Sequence, residues 1–115
     1  MEMYSELIET LGKCDAACNN CAISSLEDVD LKPMSNCIKL NLHCAELCDL
    51  ALSLLVQNSD QAFSAVKLCM TMCDECATEC EKYESDKCRL SAEACRLTEK
   101  HCSIYLEQAA ETVSI

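Results

Sequence analysis

Cys69-Met70-Thr71-Met72-Cys73-Asp74-Glu75-Cys76-Ala77-Thr78-Glu79-Cys80 carries four cysteines at steps of four, three and four residues. At about 100° per residue they fall in one arc roughly 60° wide on an α-helix. The same spacing gathers Cys14, Cys18 and Cys21 on a second segment, Cys37, Cys44 and Cys48 on a third, and Cys88, Cys95 and Cys102 on a fourth. Every one of the 13 cysteines belongs to such a stripe. Four helices that each turn a row of thiols inward make a core largely of sulfur, which is an arrangement for binding metal rather than for packing.

The bulk composition supports helices. The chain has 115 residues, one Gly, one Pro, 50% apolar side chains, three Tyr, one Phe and no Trp. Its core is therefore aliphatic and thiol, strands have almost no support, and the length fits one domain over 1–115. Twenty acidic against nine basic side chains give a formal charge of −11, which repels nucleic acid and anionic membrane surfaces. No apolar run is long enough to span a bilayer, and Met1-Glu2-Met3-Tyr4-Ser5-Glu6 lacks the basic and apolar regions of a secretory signal. The expected location is the cytoplasm. There the thiols stay reduced, and an odd count with i, i+4 pairs on single helices argues against a disulfide framework.

The pattern predicts an all-α, up-down-up-down antiparallel four-helix bundle. Helix 1 is expected over about Ser5 to Ser24, with Leu7, Leu11, Cys14, Cys18 and Cys21 inward and Gly12 opposite. The stretch from Ser25 to Asp30 loses the period and reads as a connection. Helix 2 runs from Leu31 or Pro33 to Gln57, with Cys37, Asn41, Cys44, Cys48, Leu52 and Leu55 inward. Asn58-Ser59-Asp60 is a turn, helix 3 spans about Asp60 to Tyr83 with Ala62 and Val66 ahead of its thiols, and Ser85 caps helix 4, which runs to about Thr112. Helix 4 turns Cys88, Ala92, Cys95, Cys102, Leu106 and Ala109 inward.

Cysteines sit late in helices 1 and 3 and early in helices 2 and 4. In an up-down bundle those are the same end, so the sulfurs meet over roughly 20 Å of axis. The other end takes Leu7, Leu11, Leu52, Leu55, Val66, Leu106 and Val113 as an apolar plug.

A single buried cysteine is ordinarily a small hydrophobe, but thirteen in register would fill a core poorly unless something else occupies it. Soft thiolates select Cu(I), zinc or iron–sulfur clusters. Structural zinc takes closed tetrahedral sets from loop-borne Cys-x-x-Cys pairs, whereas Cys18/Cys21 and Cys73/Cys76 lie inside helical patterns. The commoner element is Cys-x-x-x-Cys, at Cys14/Cys18, Cys44/Cys48, Cys69/Cys73 and Cys76/Cys80, whose Cβ atoms lie about 5–6 Å apart on one face. Two such sulfurs converge on one low-coordinate Cu(I). One Cu(I) per ionised thiol leaves the buried core neutral, which sets capacity at about one ion per cysteine, on the order of 13 per chain.

The stripes also carry a resemblance. The Cys-x-x-x-Cys-x-x-Cys-x-x-x-Cys run at Cys69 to Cys80, with Cys76-Ala77-Thr78-Glu79-Cys80-Glu81-Lys82 and Ala92-Glu93-Ala94-Cys95-Arg96, is similar to the bacterial four-helix-bundle copper storage proteins. The resemblance implies many Cu(I) ions bound by thiolates along the bundle axis, storage rather than transfer, and assembly as a homotetramer. Ser25, Ser91 and Thr98 stand where a denser member is expected to have Cys, and Tyr83 where such a chain often has His.

Other side chains rank below the thiols. His43 and His101 lie off the stripes and read as surface or interface residues. Met34 and Met72 flank the sulfur region as core filler or as thioethers that hand Cu(I) inward. Asn41 is the one amide on a stripe and is placed to donate to a thiolate. Copper is expected to enter at the cysteine-rich end, past Asp30 and Ser85. Catalysis has no support: neither His lies on a thiol stripe, and no paired base or phosphate loop is visible. The rival readings are a zinc or general soft-metal buffer and a thiol redox sensor.

Overall fold

The structure, a computed structural model, describes residues 2–27 and 32–113, with side chains over 4–27 and 32–110. Four helices form: α1 (Glu2–Leu26), α2 (Ser35–Val56), α3 (Ala62–Cys80) and α4 (Asp86–Val113), with a 3-10 turn at Lys32–Met34 ahead of α2. α1 packs against α2 and α4, and α3 against the same two, so consecutive helices are antiparallel neighbours in a closed ring. The body measures 54 × 21 × 19 Å, the shape of a four-helix bundle. Among the described residues there is no strand, and no helix is long and apolar enough to cross a membrane.

Helix boundaries depart from the sequence expectation in ways the local chemistry explains. α1 continues through Ser25, because that residue is one turn beyond Cys21 and is itself buried. The expected connection therefore starts after Leu26, and Asp30 and Leu31 lie outside the described residues. Pro33 sits in the 3-10 turn, with α2 proper beginning at Ser35, whose hydroxyl donates to the Lys32 carbonyl at 3.0 Å. α2 ends in a left-handed Asn58 (φ 54°), with Ser59 N–H bonded to Leu54 O at 2.9 Å and Asn58 N–H to Leu55 O at 3.1 Å. This is the Schellman closure, in which a short amide side chain tolerates the conformation that usually calls for glycine. α3 is shorter than expected at both ends, since 60–61 and 81–82 are turns. The expected cap of α4 is present, the Cys88 N–H reaching Ser85 Oγ at 3.3 Å.

One end of the bundle is the apolar plug. Leu7, Leu11, Leu55 and Val66 are buried there, while Leu52 and Leu106 are only half-buried against them. Ala109 is likewise half-buried, and the side chain of Val113 lies outside the described residues. The sequence reading missed the aromatic cap on this end: Tyr4 and Tyr105 meet edge to face with ring centroids 5.1 Å apart. Gly12 leaves room for Leu52, whose Cδ1 lies 3.8 Å from where a Cβ would stand.

Candidate metal centre

The helical period delivers all thirteen thiols to the interior. Each is reduced, and none exceeds 1% exposure. Going inward from the cysteine-rich end, Cys21 of α1 and Cys88 of α4 touch at 3.7 Å, and Cys37 of α2 and Cys80 of α3 at 3.9 Å. Further in, Cys14 contacts Cys18 at 3.9 Å and Cys95 at 3.8 Å, while Cys44 contacts Cys73 at 3.6 Å and Cys95 at 3.7 Å. Deepest, Cys48 and Cys69 lie 3.7 Å apart, and Cys102 closes on Cys69. Below them begins the apolar plug.

Three sets of sulfurs converge tightly enough to share an ion. Cys14, Cys44, Cys48 and Cys73 form one, Cys14, Cys18, Cys44 and Cys95 a second, and Cys21, Cys37 and Cys80 a third, the sulfurs of each lying within 4.8 Å of one another. Cys14 and Cys44 belong to two sets, so a metal array here is built on bridging thiolates rather than on isolated tetrahedral sites.

Hydrogen bonding among the sulfurs moves individual thiols in opposite directions. Cys14 is held below the usual thiol range because Cys18, Cys44, Cys48 and Cys73 surround its sulfur as donors. Cys69 is lowered by Cys102, Cys48 and Cys73, and Cys80 by Cys21, Cys37 and Cys76. Their neighbours move the other way: Cys44 is raised by Cys14 and its companions and by burial, and Cys37 by Cys21, Cys80 and burial.

Polar residues complete the core. Asn41 is fully buried, as the amide on the stripe of α2 required. Its Nδ2 donates to Cys37 O at 2.8 Å and lies 3.4 Å from Cys37 Sγ and 3.3 Å from Cys80 Sγ, the thiol donor role expected of it. Ser91, also at 0% exposure, donates to Asn41 Oδ1 at 2.6 Å and touches Cys18 Sγ at 3.6 Å. Thr98 turns inward and satisfies its hydroxyl on Ala94 O at 2.8 Å. Ser25, Ser91 and Thr98 therefore all occupy core positions.

The cysteine-rich end is closed by a clasp that sequence reasoning did not find. Glu79 is 7% exposed despite its charge. Asn36 Nδ2 and Lys82 Nζ donate to its Oε1 at 3.0 and 2.9 Å, and the Tyr83 hydroxyl lies 3.0 Å from Oε2 and 2.9 Å from Pro33 O. Lys82 above all, with Tyr83 and Asn36, holds this carboxyl below the usual Glu range against the opposing effect of burial. Burial and the Glu79 carboxylate push the Tyr83 phenol up to about 12. The signal was one of position: Glu79 lies three residues after Cys76 and one before Cys80, beside the stripe rather than opposite it.

The remaining candidates stand apart. His43 is exposed. His101 is half-buried on the outside of α4, with Nδ1 4.0 Å from Glu6 Oε2. Met34 and Met72 pack half-buried against the core.

This geometry has known counterparts. Residues 1–107 match the family model for copper storage proteins. The Bacillus subtilis cysteine-rich protein YhjQ is 37% identical over 75 residues, 64% of this chain and 69% of that one. The Cu(I)-bound copper storage protein BsCsp3 is 33% identical, with 88% of this chain and 95% of that chain covered and a TM-score of 0.85. A cytosolic copper storage protein from Streptomyces lividans, solved with five coppers, is 28% identical over 92% of this chain and 93% of that chain, with a TM-score of 0.88. A sulfur-lined four-helix bundle whose sequence matches the family model nearly end to end belongs to the copper storage protein family.

Proposed function

We propose that the chain stores Cu(I) in the cytoplasm, with Cys14, Cys18, Cys21, Cys37, Cys44, Cys48, Cys69, Cys73, Cys76, Cys80, Cys88, Cys95 and Cys102 as its ligands. One observation carries this: thirteen reduced thiols fill the interior of one end of the bundle with almost no aliphatic side chain among them. A neutral array takes one Cu(I) per thiolate, on the order of 13 ions, each thiolate bridging two low-coordinate metals. Thiolates left unbalanced in that interior would carry a large desolvation penalty. Zinc brings twice the charge and wants four ligands, so a neutral array takes only half as many zinc ions, and the two four-sulfur sets, which share Cys14 and Cys44, are not two independent closed tetrahedral sites.

In this reading the role is storage, not catalysis: among the described residues neither histidine belongs to a convergent sulfur set, and the four helices act as a single metal-binding domain. The chain assembles as a homotetramer in this reading. The exposed ridge of Leu90, Leu97 and Ile104, at seven-residue steps along α4, supports such a contact between copies.

Anaerobic titration of reduced protein with Cu(I) against a chromophoric cuprous chelator tests the reading. Saturation near a dozen equivalents supports it, and saturation at one or two rejects it. The same titration with Zn(II) should saturate far earlier, and mild oxidant should reduce capacity without producing a second folded state.

A further inference from the structure

We propose that Asn41 and Ser91 divide the sulfur core into two copper sites that fill and empty separately: an outer one of Cys21, Cys37, Cys80 and Cys88 at the mouth, and an inner one of the other nine thiols. The proposal rests on the storage reading above and adds an internal organisation to it.

The division is visible in who touches whom. The hydrogen bond from Ser91 Oγ to Asn41 Oδ1, 2.6 Å long, joins α4 to α2 across the interior, with both residues at 0% exposure. The pair has two different ends. The Asn41 amide faces outward, against Cys37 Sγ and Cys80 Sγ at 3.4 and 3.3 Å. The Ser91 hydroxyl faces inward, against Cys18 Sγ at 3.6 Å and Cys76 Sγ at 4.0 Å. Each sulfur–sulfur contact of 3.6 to 3.9 Å described above pairs two outer thiols or two inner ones. The convergent sulfur sets obey the same boundary, one lying wholly outside it and two wholly inside. Among the described residues the two groups interact through Cys76 and Cys80, one turn apart on α3.

Chemistry turns this boundary into a barrier. Cu(I) moves through a thiolate core by exchange from one sulfur to the next, and amide and hydroxyl oxygens hold it poorly. At the Asn41–Ser91 level α2 and α4 offer only oxygen and nitrogen. Asn41 Nδ2 is occupied by the Cys37 carbonyl and two sulfurs, and its Oδ1 by Ser91, so neither residue is free to act as a carrier. Transfer is left to Cys76 and Cys80. The outer four ions therefore exchange with solution through the mouth alone, while the inner nine must also pass a single handover. Asn41 and Ser91 are positioning residues here, not ligands.

The test is removal of Cu(I) from the fully loaded chain, under anaerobic conditions, by excess bathocuproine disulfonate followed by absorbance. Two phases are expected, with amplitudes near four and nine ions and rates at least about tenfold apart, equivalent to ~1.4 kcal/mol of barrier. Ser91→Cys puts a soft ligand between the two groups, so total capacity should rise by one ion and the phases should merge. Ser91→Ala removes the hydroxyl without adding a ligand, and the two phases should persist, which separates a ligand gap from a packing effect. A single phase in the unaltered protein at normal capacity overturns the partition while leaving storage intact. Two undiminished phases in folded Ser91→Cys, or one phase in folded Ser91→Ala, overturn it too. Capacity of one or two ions in the unaltered protein defeats the storage reading and the partition with it.

Discussion

Leu11→Ala separates the two halves of this bundle. Leu11 is at 0% exposure in the apolar plug, about one helical turn before Cys14 on α1, and it offers no ligand atom to a metal. Removing a fully buried Leu side chain from a packed interior costs about 2–5 kcal/mol through lost transfer energy and the cavity left behind. Taking ~3 kcal/mol for a helical bundle of this size, the midpoint of thermal unfolding should drop by roughly 10–15 °C. The apoprotein, followed by far-ultraviolet circular dichroism, should show that full loss, because without copper the plug is the main source of cohesion. Copper stoichiometry should not change, and the loaded variant should melt far above its apo form, since each ion that binds only the folded state adds stability by mass action. A variant that loses several copper equivalents while remaining folded, or an apo midpoint that does not move, would refute the separation of a structural end from a storage end.

Further outcomes follow from the mouth, the thiols and the surface. Glu79→Ala leaves Asn36 and Tyr83 without their shared acceptor and should destabilise the apoprotein by about 1–3 kcal/mol, measured by urea unfolding. Because the folded carboxyl titrates below the usual Glu range, its contribution is complete above that range and vanishes as pH falls through the lower folded value; the stability gap to Glu79→Ala should close in that acid window. Loading should release about one proton per Cu(I), so in weakly buffered solution the protons counted should match the ions bound, and affinity should weaken as pH falls; metal uptake without proton release would contradict thiolate ligation. Leu97→Glu, on the exposed α4 ridge, should shift sedimentation toward a smaller species with copper capacity retained.

Much of this molecule was legible before its fold was known, because a period of 3.6 residues converts linear spacing into a face. The thirteen cysteines could be oriented from their intervals alone, and their shared end followed from their early or late position in each helix. What escaped was polar pairing. Ser91, three residues after Cys88 and four before Cys95, has the spacing of a stripe residue and stands where a cysteine is expected, yet nothing in the sequence marks its partner. Its bond to Asn41 spans fifty positions and is set by the pairing of α2 with α4, which no local pattern encodes. Glu79 hid for a similar reason: an acid is expected in water, and its three partners come from α2 and from the connection beyond α3. Helix ends missed by a few residues, as at Ser25 and Tyr83, where tertiary contacts rather than propensity decide which turn continues.

Native mass spectrometry of the reduced chain after loading with excess Cu(I) and removal of unbound metal tests the central claim most directly. The account predicts a dominant species heavier than the apoprotein by one copper less one proton for each of about thirteen sulfurs. A dominant species carrying one or two coppers, or a full complement retained after most of the cysteines are replaced by serine, would contradict it.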